Sequence, residues 1–150
     1  MSSGSLQIRI EGVDAVLRKI DALGKSLDTR TILDQSAALL FHHIMERFLM
    51  LQTDADGNPW EPLSGKYAKV KQKKWNGGGI LYASGKLSRS IQVYAVDDNS
   101  RAIGTDVPYA KFHQFGTVRM PKREFLAFGD SDVTLVQDYL VRKVTEAINS

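Results

Sequence analysis

His113 is the titratable residue in the most unusual setting of this sequence, because it lies in the segment YAKFHQFG beside Tyr109, Phe112 and Phe115. A catalytic histidine needs a nucleophile or a proton partner within hydrogen-bond distance. The chain offers only scattered serines and threonines, without the glycine spacing of a nucleophilic serine on a sharp turn. We therefore expect His113 to be a packed structural residue rather than a catalytic one.

Candidate metal ligands are scarce in this sequence. The chain has no cysteine and three histidines, which excludes disulfide bonds, thiolate nucleophiles and thiolate metal sites. His42 and Glu46 stand one helical turn apart, but no third ligand follows at a suitable spacing. We expect these two side chains to interact with each other on a helix surface. The sequence predicts no bound metal and no cofactor.

Two glycine-containing segments are similar to ligand-binding motifs but fail on spacing. A P-loop needs four residues between its glycines and a Ser or Thr directly after its lysine. Here five residues separate Gly79 from Gly85, and Leu87 follows Lys86. The DADGN turn at 54–58 begins like an EF-hand calcium loop, but a glycine stands where that loop needs a bidentate glutamate. These patterns do not support an enzyme.

Positive charge is concentrated in the middle of the chain, although the net charge is only +3. Between residues 61 and 89, one acid accompanies the basic residues Lys66, Lys69, Lys71, Lys73, Lys74, Lys86 and Arg89. Such a segment binds phosphate, contacts an acidic protein or forms a solvated helix face. No aromatic stacking array accompanies the lysines, so we favour a solvated face or protein contact over nucleic acid.

Hydrophobic periodicity predicts three elements in the first third of the chain. Alternating apolar residues over 6–10 indicate a half-buried strand, and helical spacing over 14–24 indicates a short amphipathic helix. Asp28 or Thr29 can cap a longer helix that runs to about Leu51 with a broad apolar stripe.

The central segment combines a rigid loop with a basic stretch. Gly57 and two prolines exclude regular structure over most of 52–63, a loop that presents Trp60 either to the core or to a partner. The sequence at 66–75 is compatible with a short basic helix, and three consecutive glycines follow it. We expect a flexible basic loop at about 64–80, which becomes ordered when a partner binds.

The remaining pattern predicts a hairpin between two helical elements. A short helical turn begins at Ser84, the segment 90–105 forms a β-hairpin with its loop at 97–100, and an amphipathic helix covers 132–148. The predicted fold is α+β, with a small antiparallel sheet packed against two longer amphipathic helices. Because 150 residues fit one compact core, we expect a single domain over 1–150.

Four motifs occur in an order and spacing that resembles the phage virion morphogenesis family, a family of tail-completion proteins. They are DGNPWEPLS at 56–64, ILYASGKLSRSI at 80–91, IGTDVPYAKFHQFG at 103–116 and PKREFLAF at 121–128. The resemblance implies a tail-terminator-like fold and a structural protein, not an enzyme. Within this resemblance we expect 121–128 to be a strand or extended arm that returns to the sheet.

The resemblance also implies where the protein works and what it contacts. Similar tail terminators form hexameric rings, so it implies a homo-oligomer, with a hexamer as the first candidate, at the joint between head and tail. Its expected partners are itself, tail-tube and neck or head-completion proteins, and DNA passing transiently through the ring. Residues 1–5 precede no apolar run long enough for a signal peptide or a bilayer span. We expect assembly in the host cytoplasm, a place in the virion and no membrane contact.

Aromatic and basic side chains in these segments are the candidate contacts with another subunit or partner, because interfaces favour aromatic residues and arginine. The predicted interface residues are Trp60, Lys69, Lys71, Lys73, Lys74, Trp75, Tyr109, Phe112, His113, Phe115, Arg119, Arg123 and Phe125. A small basic nucleic-acid-binding protein that uses the lysine cluster is the alternative function.

Overall fold

The computed structural model describes residues 6–10, 18, 21–22, 28–75, 79–81 and 84–149. Within these ranges the chain forms a three-stranded antiparallel sheet and five α-helices, which confirms the predicted α+β class. The elements are β1 (Leu6–Ile10), α1 (Thr29–Glu46), a π-helical turn (Arg47–Leu51), α2 (Gly65–Trp75), α3 (Lys86–Ser90), β2 (Gln92–Asp97), β3 (Ser100–Thr105), α4 (Ala110–Phe115) and α5 (Asp130–Ile148). The helix predicted over 14–24 lies outside the described residues except at 18, 21 and 22, which are helical.

The sheet has the strand order β1-β3-β2, with β3 in the centre. All six residues of β3 are buried, while β2 is largely exposed at one edge. Ile8 pairs with Ile103, which pairs with Val93 on the other side. The predicted strand at 6–10 and the predicted hairpin are confirmed. Its turn is stabilised by the carboxylate of Asp97, which accepts hydrogen bonds from Asn99 N at 2.8 Å and Ser100 Oγ at 2.9 Å.

Helix α1 begins where the sequence predicted. The Asp28 carboxylate accepts hydrogen bonds from Arg30 N and Thr31 Oγ1, and these bonds lower the pKa of Asp28. The helix buries one apolar face, formed by Ile32, Leu33, Ala37, Leu40 and Ile44. Arg101 on β3 donates from Nε to the Asp34 carboxylate at 2.7 Å, which ties the sheet to this helix.

The C-terminal helix α5 packs on α1 and confirms the helix predicted at 132–148. Their contact is fixed by Asp132, whose buried carboxylate accepts two bonds from Arg47 Nη1, at 2.8 and 2.9 Å. His43 Nδ1 lies 2.6 Å from the same carboxylate. Farther along α5, Tyr139 donates its hydroxyl proton to Gln35.

The loop after α1 has little regular structure, as predicted, and it folds back into the core. Its tryptophan, Trp60, meets Phe48 edge to face at 5.7 Å, and Phe48 meets Phe125 in the same way at 5.6 Å. The indole N–H of Trp60 donates to the Glu124 carbonyl at 2.9 Å. This aromatic cluster joins the loop, the π-helical turn and the segment 121–128 in one core.

The later segments agree with the predictions in part. The short basic helix with which the sequence at 66–75 is compatible is present as α2, Gly65–Trp75, within the segment expected as a loop at 64–80. At its start Ser64 Oγ accepts from Tyr67 N at 3.2 Å. The segment 121–128 forms no strand. Its backbone is held by the buried amide of Gln114, which accepts from Phe125 N and Leu126 N and donates to Leu126 O at 2.6 Å. A side chain therefore takes the place of a strand partner.

Within the described part of the chain, no helix combines the length and apolar character needed to cross a membrane.

Candidate functional site

A pocket of about 620 Å³ opens between the N-terminal end of α2, the start of α3 and the helix α4. We call it the basic pocket. Its floor and rim carry Lys71, Lys86, His113, Arg119 and Arg123, and Glu61 is the one acid among the described residues that line it. Its apolar walls come from Leu63, Leu81, Leu87 and Met120, with Tyr67 and Tyr109 beside them.

Lys71 is the least expected member of this pocket, because a lysine is seldom fully buried. Helix α2 places Tyr67 and Lys71 on the same side, four residues apart, and both line the pocket. Only 3% of Lys71 is exposed, and its ammonium donates to the Gly79 carbonyl. Burial lowers the pKa of Lys71, and the positive charge of Arg123 lowers it further.

Arg123 fixes the opposite wall. Its Nε donates to the Glu61 carbonyl at 2.8 Å and its Nη2 donates to the Pro62 carbonyl at 3.1 Å. The main-chain N–H of Arg123 also donates to the His113 carbonyl at 2.8 Å. Arg123 as a whole residue is 5% exposed. This burial lowers the pKa of its guanidinium, and the negative charge of Glu61 partly opposes the shift.

His113 lines the same pocket as these two cations. Its ring meets Tyr109 edge to face at 6.1 Å. Its Nδ1 atom is buried and has no hydrogen-bond partner among the described residues. Burial lowers the pKa of His113 from its usual 6.5, and the charges of Arg123 and Lys71 lower it further. The expectation of a packed histidine agrees with this partial burial, and Nδ1 is a polar atom that the described residues leave without a hydrogen-bond partner.

The pocket can hold an anionic group that is attached to an apolar one. Its cations and the unpartnered nitrogen suit a negative charge, and its leucine and tyrosine walls suit hydrocarbon. The two serines of the lining already accept main-chain hydrogen bonds, Ser64 Oγ from Tyr67 N at the start of α2 and Ser84 Oγ from Lys86 N just before α3. In the described part of the chain, no group of three potential metal ligands comes together.

Five of the predicted interface residues meet at this pocket: Lys71, Tyr109, His113, Arg119 and Arg123. The sequence singled them out from three separate segments without predicting that they converge. Lys69, Lys73 and Lys74 are exposed on α2 outside the pocket. Trp75 ends α2, and its side chain lies outside the described residues.

Two of the predicted interface residues lie in the core and not at the pocket. Trp60 and Phe125 are 5% and 3% exposed and belong to the aromatic cluster of the core. Both side chains pack within the core of the subunit and do not line the basic pocket. Their role at an interface stays a prediction.

Exposed apolar side chains form a second surface next to the pocket, which we call the α4 ridge: Tyr109, Phe112, Phe115 and Val118. Phe115 is 66% exposed and Val118 is fully exposed. Tyr109 belongs to both the ridge and the basic pocket. Several exposed apolar side chains within ten residues of sequence, next to a polar site, are typical of a protein interaction surface.

Sequence reasoning missed the remaining polar residues that organise this region. Gln114 and Asp132 are buried and hold the 121–128 segment and α5 in place. Tyr67 and Leu81 contribute to the pocket walls. The four-residue spacing of Tyr67 and Lys71 is the one local signal that these two residues share a side of α2.

Comparison with known proteins identifies the family. The model of the phage virion morphogenesis family matches residues 8–145 of this chain. The chain is 32% identical over 133 residues to the Mu-like prophage FluMu G protein 1 of Haemophilus influenzae. The aligned region covers 87% of this chain and 90% of that protein. No solved structure matches it significantly. Both similarities agree with the four motifs, and the chain belongs to the phage virion morphogenesis family.

Proposed function

We propose that this protein completes the phage tail as a homo-oligomeric ring at the head-to-tail joint. There it terminates the tail and makes it competent to join the filled head. Membership of the morphogenesis family supports a role in building the particle, and the α4 ridge is the structural observation that carries the oligomeric part of the proposal. The role is structural rather than catalytic.

A ring requires two different surfaces on each subunit, because subunits in a head-to-tail arrangement contact each other through unlike patches. The α4 ridge is one exposed apolar surface. Helix α5 offers another, which we call the α5 stripe: Val133, Val141 and Ile148, each at least 49% exposed. In the proposal these two surfaces meet between neighbouring subunits, and a hexamer is the first stoichiometry to test.

The other parts of the proposal concern place and partners. Assembly takes place in the host cytoplasm, and the ring remains at the neck of the virion. Its outer contacts are tail-tube and neck or head-completion proteins, and DNA passes through its lumen. Lys69 and Lys73 are exposed on α2 and can face either acidic protein surfaces or this DNA.

Light scattering after size-exclusion chromatography tests the ring. We expect the full chain to elute as a defined oligomer and the double variant Phe112→Ser/Phe115→Ser to elute as a monomer, because the variant removes exposed aromatic area from the contact. Val96→Ser, a change of an exposed apolar residue in the β-hairpin, is the matched control and should remain oligomeric. A wild-type chain that stays monomeric at high concentration and does not bind tail-tube protein would refute the proposal.

The alternative is a small nucleic-acid-binding protein, and the exposed lysines of α2 are the observation in its favour. It predicts binding to DNA that weakens steeply as salt rises, since phosphate contacts release counterions. A gel-shift titration with duplex and single-stranded DNA checks this directly. No shift at low salt would remove the alternative.

A further inference from the structure

We propose that the basic pocket is the docking site for an acidic segment of a partner protein, with a carboxylate of that segment against Lys71, Arg123 and His113. Apolar side chains next to this carboxylate would pack on the leucine and tyrosine walls. The inference rests on the proposed assembly function, because it states the chemistry by which this subunit recognises a neighbour in the particle.

The pocket holds two buried cations whose hydrogen bonds go to neutral groups. Lys71 donates to the carbonyl of Gly79, and Arg123 donates to the carbonyls of Glu61 and Pro62. Buried charges in proteins are normally paired with an opposite charge. In the described part of the chain neither cation has a carboxylate at salt-bridge distance, and the carboxylate of Glu61 acts on Arg123 only through its charge. A carboxylate supplied by a partner would pair with both cations.

The unpartnered His113 nitrogen is an independent observation in the same place. Nδ1 is buried and lacks a hydrogen-bond partner among the described residues, a state that is unfavourable unless a ligand or solvent satisfies it. Lys71, Arg123 and His113 line the same pocket, and the charges of the two cations lower the pKa of this histidine. A carboxylate placed among them would accept a hydrogen bond from a protonated His113 and offset the mutual repulsion of the two cations.

The shape and lining of the pocket favour a protein segment over a nucleic acid. Proteins hold duplex phosphates mainly with exposed lysines and arginines on accessible surfaces. Lys71 and Arg123 are instead buried, and the pocket that they line also has apolar walls that include Leu63, Leu81 and Met120. An extended segment in which acidic and apolar side chains alternate satisfies both parts of this lining.

Helix α4 links the basic pocket to the α4 ridge. Helix α4 supplies His113 to the pocket and Phe112 and Phe115 to the exposed ridge. A segment whose carboxylate enters the pocket therefore continues over exposed aromatic side chains. The contact has the form of a charged anchor beside a hydrophobic surface, in which the charge sets the register and the aromatic area adds affinity.

An NMR titration of the isotope-labelled full chain tests the proposal. The probe is the peptide acetyl-Leu-Glu-Leu-Glu-amide, and the matched neutral peptide has glutamine in place of glutamate. We expect the acidic peptide to shift amide signals around Lys71 and His113 and to raise the pKa of His113, measured from its ring proton signals. The neutral peptide should bind more weakly and leave this pKa unchanged.

Two double variants separate the pocket from general positive charge. Lys86→Ala/Arg119→Ala removes exposed cations from the pocket rim, so the fold should persist, and we expect peptide affinity to fall about three- to tenfold. Lys69→Ala/Lys73→Ala removes the same charge from exposed positions of α2 outside the pocket. Its affinity should match that of the wild type at physiological salt, where distant charges are screened.

Each remaining outcome decides against the proposal. Equal binding of both peptides would make the pocket a purely apolar groove, and stronger shifts at Lys71 with a DNA duplex or inorganic phosphate would make it a phosphate site. Absence of any shift at millimolar peptide would also overturn it. Light scattering on the same samples keeps the two proposals apart: peptide binding without a ring contradicts only the proposed function, and a ring without peptide binding contradicts only the docking site.

Discussion

Asp132 shows how a single residue organises this molecule. Its carboxylate has no exposed surface and accepts hydrogen bonds from Arg47 Nη1 and from Gly129 N, with His43 Nδ1 at 2.6 Å. The Arg47 side chain continues to the Ala127 carbonyl at 2.9 Å. The end of α1, the start of α5 and the 121–128 segment are therefore joined through one carboxylate.

Replacing Asp132 should destabilise the fold far more than its size suggests. In Asp132→Ala the guanidinium of Arg47 remains buried without its counter-charge, and removal of one partner from a buried ion pair costs about 3–5 kcal/mol. Urea unfolding measures the loss. Asp138→Ala, at an exposed position of the same helix, is the control and should change the free energy of unfolding by less than about 0.5 kcal/mol. A loss below about 1 kcal/mol for Asp132→Ala would show that the pair is dispensable.

His113 should make stability depend on pH. Burial, then Arg123 and Lys71, lower its pKa in the folded state, so the unfolded chain binds a proton at higher pH than the folded chain does. The free energy of unfolding is therefore greatest at pH values above the pKa that His113 has in the unfolded chain. It falls as pH drops from about 7.5 through 6.5 towards the lower pKa that His113 has in the folded state.

Thermal melting between about pH 8 and pH 5.5 measures this dependence. We expect the wild-type melting temperature to fall with decreasing pH and His113→Gln to show a flatter profile, because glutamine does not titrate. His42→Gln, a change at an exposed histidine, should keep the wild-type slope. An identical slope in His113→Gln would mean that His113 titrates equally in both states.

At the scale of elements, the start of α5 depends on close contact with the loop after α1. A Cβ atom added at Gly129 would lie 2.2 Å from the Ala55 carbonyl oxygen, so the two backbones would have to separate. Gly129→Ala should destabilise the protein by about 1–3 kcal/mol, the usual effect of overpacking. Gly65→Ala is a matched control, because a Cβ at Gly65 meets nothing within 4 Å. Equal unfolding midpoints in urea for the two variants would contradict the close contact.

Elements specified by local patterns were predictable from the sequence. The alternation at 6–10, the Asp28 cap and the periodicity at 132–148 each depend on neighbouring residues, and β1, α1 and α5 lie where those patterns place them. The segment 121–128 is different, because its backbone is held by the side chain of Gln114. Gln114 lies 11 and 12 residues before the two residues that donate to it, Phe125 and Leu126. No local pattern indicates such a contact. Of the two forms predicted there, a strand or an extended arm, the strand is not observed.

The candidate site was predictable only as separate residues. Lys71, His113 and Arg123 were selected for charge or for an aromatic context, but their convergence depends on how α2, α4 and the 121–128 segment pack. The burial of Lys71 also runs against the usual exposure of lysine. Trp60 could not be placed from the sequence either, because a tryptophan in a proline-rich loop suits both a core and an interface. In the folded chain it is buried in the core.

At the scale of the whole molecule, the surface features favour assembly. The α4 ridge and the α5 stripe are exposed apolar areas, and the basic pocket holds buried cations without a carboxylate partner in the described residues. Each feature is unfavourable in an isolated subunit and favourable when a neighbour covers it. Together with family membership, they are the basis for proposing a ring that ends the phage tail.

Deletion of this chain from an inducible prophage, followed by electron microscopy of the lysate, tests the central claim most directly. If the protein completes the tail, the lysate should contain filled heads and separate tails, and supplying the wild-type chain from a plasmid should restore joined particles. The Phe112→Ser/Phe115→Ser variant should fail to restore them, and Val96→Ser should succeed. Joined, infectious particles in the absence of the chain would contradict the account.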